Sequence, residues 1–196
     1  AGKRAHALGH PIVIDPVGVS GSSYRREKCL ELMKIIHPTC IRGNYSEIQA
    51  LLHNCGTVTG VDAAEDALAE AEETDLPELM KQYAKENQMI LVASGETDLI
   101  TDESCVYRCH NGSPMMARIT GSGCMSTVML GAFLSAENSV ESAVACCAFT
   151  GIAGELAAKE MTAQKRGTMT FRNWFIDAVS LMTPEQLEHG TDVDWF

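Results

Sequence analysis

Four polar side chains in the first half of the chain are suited to holding a phosphate group and its metal. Asp15 and Glu47 supply carboxylates that could hold Mg²⁺, directly or through its waters. Arg42 offers a planar fork to phosphate oxygens, and Ser94 adds a hydroxyl beside a flexible glycine. Each residue follows a short apolar segment, where parallel strands present their ligand-binding loops. We therefore expect the four residues to lie at one edge of a sheet.

A glycine-rich segment, Thr120-Gly121-Ser122-Gly123-Cys124, precedes an apolar helical pattern that begins at Met125. Glycines before a helix let backbone N–H groups point at an anion, and the helix dipole adds positive potential. Cys124 falls in the first turn of that helix, where the pKa of a thiol tends to fall, and it could accept a proton there. We predict an anion hole for a transferring phosphoryl group, formed by Gly121, Ser122, Gly123 and Cys124.

Each of the polar residues also has a purely structural interpretation. Asp15, directly before Pro16, could simply end a strand in a turn, and Arg42 could be a surface charge. Glu47 could lie at the third position of a helix capped by Asn44. Their common position at the predicted ligand edge is what favours the functional interpretation.

Other motifs compete for the glycine-rich segment. A dinucleotide-binding fingerprint would follow the first strand, and it would need a glycine where Ser126 stands. Glu141 has the spacing expected of the acid that binds the ribose in that motif, but it lies in a helical pattern and not at a strand end. A P-loop is excluded because no Lys-Ser or Lys-Thr follows the glycines. A cysteine nucleophile stays open, although the nearest histidine, His110, lies in a predicted turn. A wholly structural tight turn also stays open.

The elements that must position these loops alternate between strand and helix. Apolar segments predict buried strands at residues 11–14, 39–41 and 89–93. Helical spacing follows the first strand over residues 23–36, and a short helix follows the second over residues 46–52. Asp62 is a suitable N-cap for an Ala-rich helix over residues 63–73, and Pro77 suits the first turn of another over residues 78–86. Such alternation implies a parallel sheet with right-handed crossovers, and we expect residues 1–196 to form a single α/β domain.

The second half of the chain has a different pattern. We predict short strands at residues 99–101, 105–108 and 115–119, with turns at Asp102-Glu103 and Asn111-Gly112. They should extend the sheet in antiparallel fashion. Helices are predicted over residues 124–135, 139–161 and 170–182, and the second of these should be buried because Ala, Gly and Cys occupy most of its sides. We expect the polar tail from Thr183 to be loosely held.

Composition and charge restrict the partners of the chain. Its 196 residues are 45% hydrophobic and 21% charged, as in an ordinary globular protein. The formal net charge of −11 argues against binding nucleic acid through its phosphates, although one arginine and a helix terminus can still hold a nucleotide. We find no signal peptide and no apolar run of membrane-spanning length, so we expect no membrane partner. Eight cysteines without a CxxC pair indicate buried thiols in a reducing cytoplasm.

The motifs, taken in order, resemble those of hydroxyethylthiazole kinase. They are DPVG from Asp15, RGNxSEI from Arg42, SGE from Ser94 with the following Asp98, the Asn111-Gly112 turn, and TGSGC from Thr120. Further matches are Tyr24-Arg25-Arg26, Gly60-Val61-Asp62, Ile152-Ala153-Gly154-Glu155, Gly167-Thr168-Met169-Thr170-Phe171 and Asp177-Ala178. The resemblance runs nearly from end to end, and the order of several motifs makes it specific.

The resemblance implies a ribokinase-like three-layer α/β/α fold with a mainly parallel sheet and an antiparallel extension. It also implies transfer of the γ-phosphate of ATP to the hydroxyl of 4-methyl-5-(2-hydroxyethyl)thiazole, a salvage step toward thiamine. The enzyme would be a cytoplasmic homotrimer with sites between its subunits, would use Mg²⁺, and would bind neither nucleic acid nor membrane.

The resemblance also implies a role for each motif residue. Arg42 and Ser94 would bind ATP, and Asp15 and Glu47 would surround Mg²⁺. The alcohol substrate would lie on Gly121, and Cys124 would be the catalytic base at a position where most ribokinase-like enzymes have Asp. Ser94 stands where Thr is common, which keeps the hydroxyl.

Two other functions stay open at this point. The first is a kinase for another vitamin alcohol, of the pyrimidine or pyridoxine type, which an Asp at position 124 would have favoured. The second is a non-catalytic nucleotide-binding protein, because residues 1–8 resemble the end of a helix deep inside the family's sequence. We therefore expect residues 1–196 to lack the first strands of the family and a large share of the thiazole pocket, so that the domain is incomplete at its amino terminus. Alone, these residues should turn over little or no thiazole alcohol.

Overall fold

A single mixed sheet organises the part of the chain that the computed structural model describes, residues 1–55 and 76–196. Its six strands lie side by side in chain order: β1 (Val13–Ile14), β2 (Cys40–Asn44), β3 (Ile90–Ser94), β4 (Asp98–Thr101), β5 (Val106–Cys109) and β6 (Val193–Trp195). The first three strands pair in parallel, and β3 to β6 pair antiparallel. The predicted α/β class, with a parallel part and an antiparallel extension, is confirmed.

Eight α-helices and one 3₁₀ helix are found among the described residues. They are α1 (Gly2–Ala7), α2 (Ser23–Ile36), α3 (Tyr45–Cys55), α4 (Leu76–Asn87), the 3₁₀ helix (Pro114–Arg118), α5 (Ser122–Ala136), α6 (Val140–Ala163), α7 (Thr168–Leu181) and α8 (Pro184–Gly190). The predicted helices over 23–36, 124–135, 139–161 and 170–182 agree with α2, α5, α6 and α7 to within two residues. The predicted helix over 63–73 lies outside the described residues.

The helices cover the two faces of the sheet because the strands alternate. Along β3, Leu91 and Ala93 face a core shared with α2, α3 and α4. Ile90 and Val92 face the opposite core, which contains side chains of α5 and α6. A strand buried on both faces is typical of a parallel sheet with helices on each side. The result is a three-layer arrangement that leaves the carboxyl ends of β1, β2 and β3 open to solvent.

The long helix α6 is the central helix of its layer. By length and composition it is the one helix among the described residues that could cross a membrane, which corrects the expectation that no segment reaches that length. However, 61% of its apolar stretch is buried inside the protein, so it packs as a core helix. The prediction that small residues make this helix a buried one is confirmed, since Ala143, Ala148 and Ala153 are fully buried.

Two predictions about the second half of the chain are wrong. Residues 115–119 form a 3₁₀ helix and not a strand, because Pro114 begins it and the Ser113 side chain accepts a bond from the Met115 N–H. The tail is not loosely held. Thr183 and Gln186 form a capping box at the start of α8, and β6 then pairs with β5, with Asp194 accepting a bond from Arg108.

Candidate active site

The predicted ligand-binding loops meet in one open cleft beyond the carboxyl ends of the parallel strands. Its cavity volume is about 900 Å³, within the range of small-molecule sites. All the residues singled out from the sequence contribute to its lining: Asp15, Arg42, Glu47, Ser94, Gly121, Ser122, Gly123 and Cys124. The structure therefore brings these side chains together, while their individual roles stay predictions.

Glu47 holds the first two loops together. Its carboxylate is buried, and its two oxygens accept hydrogen bonds from the N–H groups of Gly18 (2.8 Å) and Asn44 (3.0 Å). The side-chain oxygen of Asn44 in turn accepts a bond from the Glu47 N–H at 2.9 Å, so the two residues form a capping box at the start of α3. Glu47 thus has the helix-capping contact of the structural interpretation. Its bond from the Gly18 N–H is a second contact, which the cap does not require.

The loop that Glu47 reaches depends on a glycine. Gly18 has a φ of +76°, a conformation that favours glycine, and this directs its N–H toward the Glu47 carboxylate. Gly43 at the end of β2 serves close packing, because a Cβ there would lie 3.1 Å from the Pro16 ring. Residues 42–44, predicted as a loop, belong to β2 and pair with β3.

Arg42 and Asp15 both reach across the cleft to α5. The Arg42 guanidinium, half-buried, donates to the Gly123 carbonyl at 3.2 Å. The Asp15 carboxylate accepts a hydrogen bond from the Thr127 hydroxyl at 2.9 Å. Neither contact is expected of a strand-end turn or a surface charge, because each spans more than 80 residues of sequence. They place the start of α5 directly opposite the strand ends.

The start of α5 lines the cleft next to Arg42. Gly121 precedes the helix with a φ of +96° and offers no side-chain cap. The first N–H groups of a helix have no partner inside it, and the residues that carry them here, 122–124, line the cleft. The Ser122 hydroxyl is turned away, since it donates to the Met116 carbonyl at 2.8 Å. The backbone, more than the serine side chain, therefore supplies the donors at this point.

Ser94 and Asp98 form the cleft's edge along β3 and β4. The Ser94 hydroxyl donates to the Gly43 carbonyl at 3.2 Å, which fixes its oxygen at the mouth of the cleft. The Asp98 carboxylate accepts from the Gly95 N–H at 3.0 Å. Burial raises the pKa of Asp98, and the Gly95 bond and the Arg42 charge offset part of that rise. The sequence indicated Asp98 only as a motif position.

Three cysteines line the cleft, and they differ in their surroundings. Cys146 and Cys147 lie on the buried face of α6, while Cys124 is exposed on α5. Burial raises the pKa of Cys146 to about 11 and that of Cys147 well above its usual value. At neutral pH both buried thiols are therefore protonated. Among these three, Cys124 is the one whose sulfur is open to a ligand.

The carboxylates of the cleft fit a metal that arrives with its ligand. Among the described residues no group of three or more His, Cys, Asp or Glu side chains could hold a metal ion by itself. Mg²⁺, however, is commonly held by one or two carboxylates together with waters and substrate phosphates. Asp15 and Glu47 line one side of the cleft, and such a pair suits an ion bound in that way.

One wall of the cleft was not anticipated from the sequence. Residues 110–114 and the middle of α6, at Thr150 and Gly151, line it. Gly151 is essential to this packing, because a Cβ there would lie 2.5 Å from backbone atoms of Asn111. The Asn-Gly pair signalled only a turn, and nothing local to the sequence indicated that α6 passes behind it.

Comparisons with known proteins agree with this geometry. The sequence model of the Hydroxyethylthiazole kinase family matches residues 1–185. The chain is 36% identical to the hydroxyethylthiazole kinase of Clostridium acetobutylicum, over 96% of this chain and 70% of that protein. It is 36% identical to the enzyme of the same name from Desulforudis audaxviator, over 99% of this chain and 68% of that protein.

The chain belongs to the hydroxyethylthiazole kinase family. The resemblance stated from the motifs is therefore confirmed, and with it the enzyme class, a kinase. Among solved structures, the hydroxyethylthiazole kinase of Pyrococcus horikoshii OT3 superposes with a TM-score of 0.81 at 26% identity, covering all of this chain and 69% of that one. The family fold agrees with the predicted ribokinase-like class.

The double contact of Glu47 generates a stability prediction. Glu47→Gln replaces one acceptor oxygen by an NH₂ group, which would face a backbone N–H and leave it unpaired. We expect the free energy of unfolding to fall by about 1–3 kcal/mol, measured by urea denaturation without nucleotide or Mg²⁺. Glu96→Gln, an exposed residue of the same cleft, is the matched control and should change it by less than about 0.5 kcal/mol. Equal stability of the two variants would show that Glu47 does not hold the loops.

Proposed function

We propose that this protein transfers the γ-phosphate of ATP to the hydroxyl of 4-methyl-5-(2-hydroxyethyl)thiazole, in thiamine salvage. The observation that carries the proposal is the position of the α5 N-terminus, uncapped by a side chain and opposite Arg42 and Asp15 in one cleft. Such a terminus is suited to phosphate oxygens. The kinase family supports the use of ATP, and the name of the relatives supplies the alcohol.

In this proposal different residues of the cleft bind the nucleotide and the alcohol. Arg42 and Ser94 bind the phosphates of ATP, and Gly121 contacts the alcohol. Asp15 and Glu47 would hold Mg²⁺, which when bound would neutralise part of the phosphate charge. Asp15 is suited to this because Thr127 contacts only one of its carboxylate oxygens.

The chemical step is an in-line displacement. The alcohol oxygen forms a bond to the γ-phosphorus as the bond between that phosphorus and the β,γ-bridging oxygen breaks, and ADP leaves. The alcohol proton passes to the sulfur of Cys124, which acts as the base. Backbone N–H groups at residues 121–124 stabilise the charge on the transferring group. Because such catalysis depends mostly on positioning and electrostatics, a weak base such as Cys124 is adequate.

The finer features of the family are part of the same proposal. We infer that residues 1–196 act as one ribokinase-like domain within a cytoplasmic homotrimer that binds neither nucleic acid nor membrane. An apolar surface beside Cys124 supports a subunit contact there, since Val128 is 75% and Ile176 47% exposed. The net charge of −11 disfavours a nucleic-acid partner.

The substrate assignment is tested with the full gene product that contains these residues. ADP formation from ATP and Mg²⁺ is measured with the thiazole alcohol, with a hydroxymethylpyrimidine and with pyridoxine. We expect the highest kcat/KM for the thiazole alcohol. A higher value for either of the other two would identify a kinase for a different vitamin alcohol. Nucleotide binding without turnover of any alcohol would identify a non-catalytic protein.

Removing the Arg42 charge should weaken nucleotide binding. We expect Arg42→Ala to reduce the affinity for ATP by about 1.5–3 kcal/mol, the contribution of a charge-assisted hydrogen bond, in titration calorimetry. Arg172→Ala removes the same charge from an exposed position of α7 outside the cleft and should leave the affinity unchanged. If the two variants bind ATP equally well, Arg42 does not bind the nucleotide, and its role is limited to the hydrogen bond with the Gly123 carbonyl.

Cys124 is the residue at which the catalytic and structural interpretations differ most. If it is the base, Cys124→Ala should lower kcat by about 10²–10⁴-fold, while the affinity for ATP barely changes because backbone N–H groups and Arg42 hold the phosphates. Cys124→Asp should keep substantial activity, because a carboxylate at the start of α5 can take the same proton and is favoured by the helix dipole.

Steady-state kinetics, with folding followed by thermal melts, distinguishes these cases. If Cys124 only fills a turn, the Ala variant should be almost fully active and the Asp variant impaired. An active Ala variant would remove Cys124 from the mechanism.

A further inference from the structure

Residues 110–114 form a wall that connects two of the predicted ligand-binding loops. At one end the His110 Nδ1 atom lies 3.3 Å from the Thr97 hydroxyl, next to the turn that follows Ser94. At the other end the segment continues into the 3₁₀ helix. There the Met116 carbonyl accepts a hydrogen bond of 2.8 Å from the hydroxyl of Ser122, the first residue of α5. The wall is therefore one of the connections that position the Ser94 turn relative to the start of α5, beside the contacts of Arg42 and Asp15 with that helix.

The wall is held from behind by a buried amide. Asn111 is only 8% exposed. Its NH₂ group donates to the Gly190 carbonyl (2.8 Å) and to the Glu155 carboxylate (3.1 Å), and its oxygen accepts from the Asp192 N–H (2.8 Å). Every one of these partners lies outside the set of residues that lines the cleft. The amide thus ties the wall to α6 and to the carboxyl-terminal segment.

Glu155 makes a second contact with the same wall. The oxygen that accepts from Asn111 also accepts from the Gly112 N–H at 2.8 Å. Glu155 projects from α6, is exposed to solvent and does not line the cleft. Its hydrogen bonds to residues 111 and 112 are therefore the contacts through which this side chain reaches the wall of the cleft.

We propose that Glu155 and Asn111 are positioning residues that set the wall of residues 110–114 for nucleotide binding. This inference rests on the proposed function, in which the Ser94 turn and the start of α5 bind ATP. Loss of the Glu155 oxygen frees two hydrogen bonds of the wall and allows it to move relative to both loops. The affinity for ATP decreases, while Cys124 and the start of α5, which Glu155 does not touch, keep their chemistry.

The primary test compares Glu155→Ala with Glu155→Gln. The Gln carbonyl oxygen can accept both bonds from the wall, so the function of Glu155 as an acceptor is kept although its charge is lost. We expect Glu155→Ala to raise the KM for ATP and the Kd for ADP about tenfold, with kcat reduced less than about threefold. Glu155→Gln should restore both constants to within about twofold of the wild type.

A second pair of variants moves the wall from the opposite direction. Gly151→Ala would bring a Cβ to 2.5 Å from backbone atoms of Asn111, so the wall must shift. Gly154→Ala, one turn further along α6, meets the Met116 side chain at the same distance, and that flexible side chain can move aside. We expect Gly151→Ala to raise the KM for ATP severalfold more than Gly154→Ala does.

The outcomes are read on the full gene product, with thermal melts and ADP calorimetry for every variant. A Glu155→Ala protein with the wild-type KM for ATP would overturn the proposal, as would a Gln variant as impaired as the Ala variant. A lowered melting temperature with unchanged nucleotide constants would assign Glu155 to stability alone and would overturn it too. If the wild type itself binds no ADP, the proposed function fails, and the inference fails with it.

Discussion

The buried carboxylate of Glu47 is the contact on which the geometry of the cleft depends. Removing a carboxylate from water is costly unless its oxygens are hydrogen-bonded, and both oxygens of Glu47 accept hydrogen bonds from backbone N–H groups. One N–H comes from the loop after β1 and the other from the residue before α3. A single side chain therefore fixes the relative position of two adjacent strand ends. Gly43 and Gly18 allow the backbone of these loops to come within hydrogen-bonding distance of the Glu47 carboxylate.

From that fixed edge, two longer contacts determine where the proposed anion site lies. Arg42 and Asp15 reach α5 from the ends of two strands, which places a helix terminus opposite a guanidinium. The chain carries a net charge of −11, so the field at a distance repels a polyphosphate. At physiological ionic strength charges are screened beyond about 8 Å. The local arrangement of one arginine and one helix terminus can therefore dominate once the ligand has entered the cleft.

Sequence patterns predicted the parts of this arrangement that have a local cause. The apolar segments gave β1, β2 and β3, and the order of the motifs indicated which loops would share an edge. Residues 115–119 were misassigned because their apolar content favoured a strand, whereas Pro114 and the Ser113 side chain start a 3₁₀ helix. The polar tail was misjudged for a different reason. Part of its order comes from the local capping box of Thr183 and Gln186. The rest comes from pairing with β5 and from Asn111, and neither of these partners is near it in sequence.

The wall at residues 110–114 could not be predicted for the same physical reason, because Gly151 and Glu155 shape it only after α6 has packed across the sheet.

The cysteines show that identical residues acquire different chemistry from their positions in the fold. Cys146 faces the core, where burial raises its pKa to about 11 and keeps it a neutral thiol at neutral pH. Cys124 occupies the exposed first turn of a helix whose N-terminus attracts negative charge. A sequence shows eight cysteines of one kind, and only the packing of α5 and α6 separates a residue of the core from a candidate base.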